Sequence, residues 1–164
     1  LPPGAHGELA IDWFNGRRTP DASADARGAL TGLHLGSDLP AVYRSLVEAT
    51  ACGARAILER FTSSGVPITR VLGIGGIATK SPLVMQIHAD VLNRPIGVVR
   101  STQCCALGSA IAGAVAAGLH RDIAAAQKVM ASPVSTTYRP RKAAAKAYDA
   151  LYARYQATGR VLER

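Results

Sequence analysis

Residues 68–92 read Ile68-Thr69-Arg70-Val71-Leu72-Gly73-Ile74-Gly75-Gly76-Ile77-Ala78-Thr79-Lys80-Ser81-Pro82-Leu83-Val84-Met85-Gln86-Ile87-His88-Ala89-Asp90-Val91-Leu92, and this stretch decides the architecture. Ile68 to Ile74 is apolar and β-branched, as a buried strand requires. Gly75 to Lys80 reads as a loop, and Ser81-Pro82 opens a helix to about Leu92. Serine suits the N-cap because its hydroxyl accepts from a free helix N–H, and proline suits the first helical position because its missing N–H costs nothing there. A buried strand running through glycines into a helix is the unit from which α/β domains are built.

The flanking sequence supports the same class. Glu8 to Phe14 reads as a short strand closed by the turn dipeptide Asn15-Gly16, and Gly28 to Leu33 as a second one. Asp38 caps a helix with Pro40 in its first turn, running to about Phe61. Arg44/Glu48 and Arg55/Glu59 form i,i+4 opposite-charge pairs, read as a polar stripe on a helix otherwise covered by its neighbours. Pro95 to Val99 is a further strand. Cys104 to Gly118 and Asp122 to Met130 are helices, and the last helix begins near Arg141. In that helix Tyr148, Leu151, Tyr152 and Tyr155 recur at helical spacing, the pattern of a helix docked on a domain. The expected organisation is an incomplete lobe over residues 1–138 and a basic C-terminal helix over 139–164 packed on it.

Composition narrows the function. The chain has 164 residues with 48% hydrophobic and 18% charged, enough for one domain with a real core. No apolar run reaches the roughly 18–20 residues that span a bilayer. The start lacks the charged and apolar regions of a signal peptide. It also lacks an initiator methionine, so the expectation is a sequence beginning partway through a longer cytoplasmic protein. Cys52, Cys104 and Cys105 are odd in number and lack CxxC spacing, and the histidines at 6, 34, 88 and 120 are scattered, so no disulfide framework and no metal site is expected. Of the net charge of +8, residues 138–164 carry +5, with 7 of the 19 basic and 2 of the 11 acidic residues. No aromatic is interleaved with these charges in RNA-binding fashion, and the expectation is a solvated helix face with no nucleic-acid partner.

The best candidate for chemistry is the junction at Gly75-Gly76. Amides in a glycine turn can approach a ligand closely, and the following helix start adds unpaired donors and a partial positive charge. The stretch is neither GxxxxGK[ST] nor a full GxGxxG, and a glycine pair before a helix also serves as a plain tight turn. Asp12 beside Trp13 reads as a structural hydrogen-bonding carboxylate. Cys104-Cys105 read as two small residues in a tightly packed helix. Lys80 suits either a phosphate contact or a solvated loop. Gln86 and Asp90 share a helix face that caps neighbouring loops.

The neighbouring residues add a resemblance. Gly75-Gly76-Ile77-Ala78, Lys80-Ser81-Pro82-Leu83, Gln86 and Ala89-Asp90-Val91-Leu92 resemble the adenosine-side motif of the FGGY family of carbohydrate kinases. Ile77 stands in place of the motif's third glycine, and Thr79 is an insertion. Arg18-Thr19-Pro20, Arg27-Gly28, Gly32-Leu33 and Tyr43 to Ala49 are similar to the family's second signature region. Ala106-Leu107-Gly108-Ser109-Ala110 is similar to its ALGAA helix, with Gln103 where most members carry Glu. Leu9 to Gly16, Gly75 to Ala78, Asp90 to Pro95 and Gln103 to Gly108 look like the ribulokinase branch.

The resemblance implies an actin-like, ribonuclease H-like lobe with a short mixed sheet flanked by helices. It implies ATP and Mg2+ as cofactors, with Gly75, Gly76, Ile77, Lys80 and Ser81 at the nucleotide. The implied reaction is transfer of the ATP γ-phosphoryl to L-ribulose or a related pentulose held by a missing lobe. The alternatives are another family kinase acting on xylulose or glycerol, or a non-catalytic nucleotide-binding domain. The family's catalytic Asp lies upstream of Leu1, so no catalytic residue is expected within this chain and no activity from it alone. Homo-oligomerisation stays open.

Overall fold

The computed structural model describes residues 1–4 and 7–163; His6 and Arg164, the former among the scattered histidines and the latter in the basic tail, lie outside the described residues. The elements run β1 (Leu9–Ile11), β2 (Ala29–Thr31), α1 (Leu39–Ser63), β3 (Val71–Gly73), α2 (Gly75–Lys80), α3 (Pro82–Leu92), β4 (Ile96–Val99), α4 (Cys104–Ala116), α5 (Ile123–Met130), β5 (Val134–Tyr138) and α6 (Lys142–Leu162). Strands β1 and β2 form an antiparallel pair with Leu9 opposite Thr31. A second sheet has the order β3-β4-β5, with β3 parallel to β4 and β5 antiparallel to it.

Two apolar clusters hold these pieces. The larger joins Leu9, Ala10, Ile11 and Trp13 to Val47, Ala49, Ala51 and Cys52 of α1, to Ile87 and Val91 of α3, and to Tyr148, Leu151, Tyr152 and Tyr155 of α6. All four residues of the C-terminal apolar stripe are therefore buried, and α6 docks on β1, α1 and α3. The smaller cluster joins Ala78, Met85, Ala89, Ile96 and Val98 between the helices α2 and α3 and the strand β4. Met85 packs closely over Gly73: its Cε lies 2.7 Å from where a Cβ on that residue would stand.

Several elements differ from the sequence expectation for identifiable reasons. The expected loop at Gly75 to Lys80 is a short helix. Gly75 takes the chain round at φ +83, Ala78 then buries its methyl, and Thr79 Oγ1 donates back toward the Gly75 and Gly76 carbonyls. Ser81 ends that helix and starts the next: its N–H donates to the Ile77 carbonyl and its Oγ accepts from Val84 N. Strand β5 carries no apolar alternation, because most of it is exposed along the sheet edge; its Val, Thr and Tyr content suits the extended backbone. Helix α1 is not covered along its length. At about 1.5 Å per residue its 25 residues outrun the layer they pack in, and Arg60 to Ser63 project into solvent.

The Arg44/Glu48 pair is not a solvated stripe. Glu48 is 2% exposed, accepts from Arg44 Nε at 2.7 Å and from Tyr148 Oη at 2.9 Å, and receives the Gly4 N–H. Burial, followed by the Glu48 charge, pushes the Tyr148 phenol well above its ordinary value. Arg55/Glu59 matches the stripe better, being partly exposed, although Arg55 also pairs with Asp149 and stacks 4.3 Å from the Tyr152 ring. Helix α4, expected to be tightly packed, buries only Ile111. Cys104 is half-buried and donates to the Ser101 carbonyl, and Cys105 is exposed.

Candidate functional site

The parallel pair β3-β4 places two helix starts along one sheet edge, at the carboxyl ends of the strands where open α/β sheets bind ligands. After β3 comes α2, and after β4 the chain crosses residues 100–103 into α4. Helices α1, α3 and α5 are capped by the side chains of Asp38, Ser81 and Asp122. Helices α2 and α4 have no side-chain cap, since Ile74 and Gln103 supply none. Their first N–H groups remain available to an acceptor, and the helix dipole favours a negative one.

The two glycines have different reasons for being glycine. Gly75 needs its positive φ. Gly76 does not: its backbone is ordinary, and a Cβ added there would meet nothing within 4 Å. The fold thus tolerates a side chain at 76, and what glycine provides is unobstructed access to the backbone from the open side. Ile77 is 67% exposed on the same turn. Lys80 is exposed and forms no ion pair among the described residues. Ser81 is different in kind, because its hydroxyl is committed to capping α3. Of the five residues singled out in the sequence, Gly75, Gly76 and Ile77 thus offer backbone donors, Lys80 offers a charge, and Ser81 holds the next helix in place.

Sequence reasoning missed how firmly that next helix is anchored. Asp90 is fully buried and accepts from Gln86 Nε2 at 3.0 Å, from Arg141 N at 2.7 Å and from the Arg141 guanidinium at 2.6 Å. Gln86 also donates to the Arg139 carbonyl. The Gln86/Asp90 face therefore pins the β5–α6 connection to α3. The i,i+4 spacing was visible, but Arg141 is 51 residues away in sequence and nothing local pointed to it.

Asp12 lies elsewhere. It accepts from Tyr155 Oη at 2.7 Å and lines a separate cavity with Trp13 and Arg17. No group of three or more His, Cys, Asp or Glu side chains stands together among the described residues. The described residues do not by themselves make a Mg2+ site. No described helix is long and apolar enough to cross a membrane.

The sequence model of the FGGY family of carbohydrate kinases, C-terminal domain, matches residues 2–117. The chain belongs to this family. It is 51% identical over 155 residues to a ribulokinase of Vibrio parahaemolyticus, covering 94% of this chain and 27% of that protein. It is 45% identical to a ribulokinase of Bacillus licheniformis, covering 95% of this chain and 29% of that one. Among solved structures, the xylulose kinase of Rhodospirillum rubrum superposes with a TM-score of 0.83 at 28% identity, over 99% of this chain and 32% of that one. The chain thus spans between a quarter and a third of the length of these relatives. The α/β arrangement is that of part of an actin-like, ribonuclease H-like kinase lobe.

Proposed function

We propose that this chain forms the adenosine-facing part of the C-terminal lobe of a cytoplasmic ribulokinase, in which MgATP phosphorylates L-ribulose. The observation that carries the reading is the uncapped helix start at Gly75, Gly76 and Ile77, open to solvent at the carboxyl edge of a parallel strand pair. The 51% identity to a ribulokinase supports the choice of sugar. In this reading the amides of residues 75–77 approach the nucleotide, Lys80 lies toward its phosphates, and Ser81 keeps α3 in register behind them. Phosphoryl transfer depends chiefly on positioning and on neutralising developing charge. This chain contributes positioning on the nucleotide side, while the carboxylate base, the metal ligands and the sugar contacts come from the rest of a longer protein. Residues 1–138 then make up the incomplete lobe, and 139–164 its docked helix.

The test is steady-state phosphorylation with MgATP, comparing this chain with one extended to the length of its relatives and offering L-ribulose, xylulose and glycerol in turn. The expected result is activity in the extended chain only, with L-ribulose preferred in kcat/KM. Turnover by this chain alone would locate a base within it, Asp12 first, and overturn the two-lobe reading. A preference for xylulose or glycerol would keep the kinase and reject the sugar.

A further inference from the structure

The cavity beside Asp12, of about 520 Å³, opens between the 15–27 segment, the middle of α1 and the C-terminal half of α6. That volume lies within the roughly 300–1,000 Å³ usual for small-molecule sites. None of the residues lining it comes from 68–140, so it is separate from the Gly75 turn. One wall is apolar, made by the buried Trp13 ring together with Ile57 and Pro20.

The charges around the cavity are unequally engaged. Arg17 is held by Glu163 and by the Asp21 carbonyl, and its guanidinium stacks 5.1 Å from the Trp13 ring centroid. Asp21 is taken up in two 2.8 Å bonds from Arg60. The Asp12 carboxylate receives the Tyr155 hydroxyl through Oδ1, and its Oδ2 lies 2.9 Å from where a Cβ on Gly53 would stand, both residues lining the cavity. Arg18 and Arg160 line the same cavity, are exposed, and have no hydrogen-bond or ion-pair partner among those of the described residues. Each of these carboxylates thus has at least one partner, while the two guanidiniums have none among the described residues.

We propose that this cavity binds a small phosphorylated polyol, with its phosphate between Arg18 and Arg160 and a hydroxyl donating to Asp12 Oδ2. Guanidinium groups match a tetrahedral oxyanion with paired donors. The Trp13 wall covers the carbon chain, and Gln156 at the rim supplies a further polar contact.

Trp13 is the only tryptophan of the chain and lines this cavity, so its fluorescence reads occupancy there. Ribose 5-phosphate is titrated into this chain, with ribose and inorganic phosphate as parallel probes. The expected result is a saturable change with ribose 5-phosphate, weakened about tenfold or more in both Arg18→Gln and Arg160→Gln, whose thermal unfolding matches the parent. Ribose gives no change, and inorganic phosphate binds more weakly. Gly76→Val leaves the titration unaltered, which separates this site from the nucleotide turn. No saturable change, a change indifferent to both arginine substitutions, or inorganic phosphate binding as tightly as the ester overturns the proposal.

Discussion

Glu48 shows what a single buried carboxylate demands. It is held by Arg44, by the Tyr148 hydroxyl and by the Gly4 N–H, and every bond compensates for water it has lost. Removing the carboxylate strands a guanidinium and a phenol, so Glu48→Ala is expected to cost about 3–5 kcal/mol. Tyr148→Phe loses one donor to a charged acceptor and is expected to cost about 1–3 kcal/mol. Urea unfolding of the two variants measures both; a loss below about 1 kcal/mol for Glu48→Ala would mean that the network is not formed. The spacing of Arg44 and Glu48 was legible in the sequence, but their burial was not. That burial depends on a tyrosine 100 residues away, and a pair at i,i+4 looks the same whether water or a phenol completes it. At Gly75 and Gly76 the sequence showed two equivalent glycines. Only the backbone angles separate the one that the turn requires from the one that leaves a surface open.

Among the elements, α3 carries the connection between the site and the rest of the lobe. Its start is capped by Ser81 behind the Gly75 turn, and its end is clamped through Asp90 to Arg141. His88, on the same helix, sits against the Val84 carbonyl. Burial lowers its pKa below the usual 6.5, with the carbonyl contact opposing in part. The unfolded chain therefore takes up a proton at a pH where the folded chain does not, and stability falls as pH drops through about 6.5. His88→Gln is expected to flatten the loss of unfolding free energy between about pH 7.5 and 5.5, relative to the parent; an unchanged slope would assign the effect to other groups. At this scale the caps at Asp38 and Ser81 and the stripe of α6 were readable, because caps and periodicity are local signals. Strand β5 and helix α2 were not. The first gains its structure from the edge of β4, and the second from a single buried methyl and a serine shared between two helices.

Across the whole molecule, the sheet and the helix pair α4–α5 are the least covered parts. Among the described residues strand β3 pairs only with β4, which leaves its other edge unpaired in the order β3-β4-β5. Leu72, Ile74, Leu119, Val129 and Val134 are all at least 40% exposed. An open edge beside apolar surface recruits further strands or copies of the chain. Light scattering is expected to give a mass that rises above 17.1 kDa as concentration increases; a constant monomer mass would show that this surface is not adhesive. The family was legible from spaced motifs along the chain, whereas the exposure of α4 was not, because its apolar composition reads like that of a core helix. The central claim, that the open turn at Gly75–Ile77 is where ATP is held, is tested most directly at Gly76, where the fold itself has room for a side chain. The decisive measurement is steady-state kinetics of the extended chain carrying Gly76→Val. The account predicts a KM for ATP raised about tenfold or more with the KM for L-ribulose unchanged. A rise confined to the sugar, or no change in either constant, would contradict it.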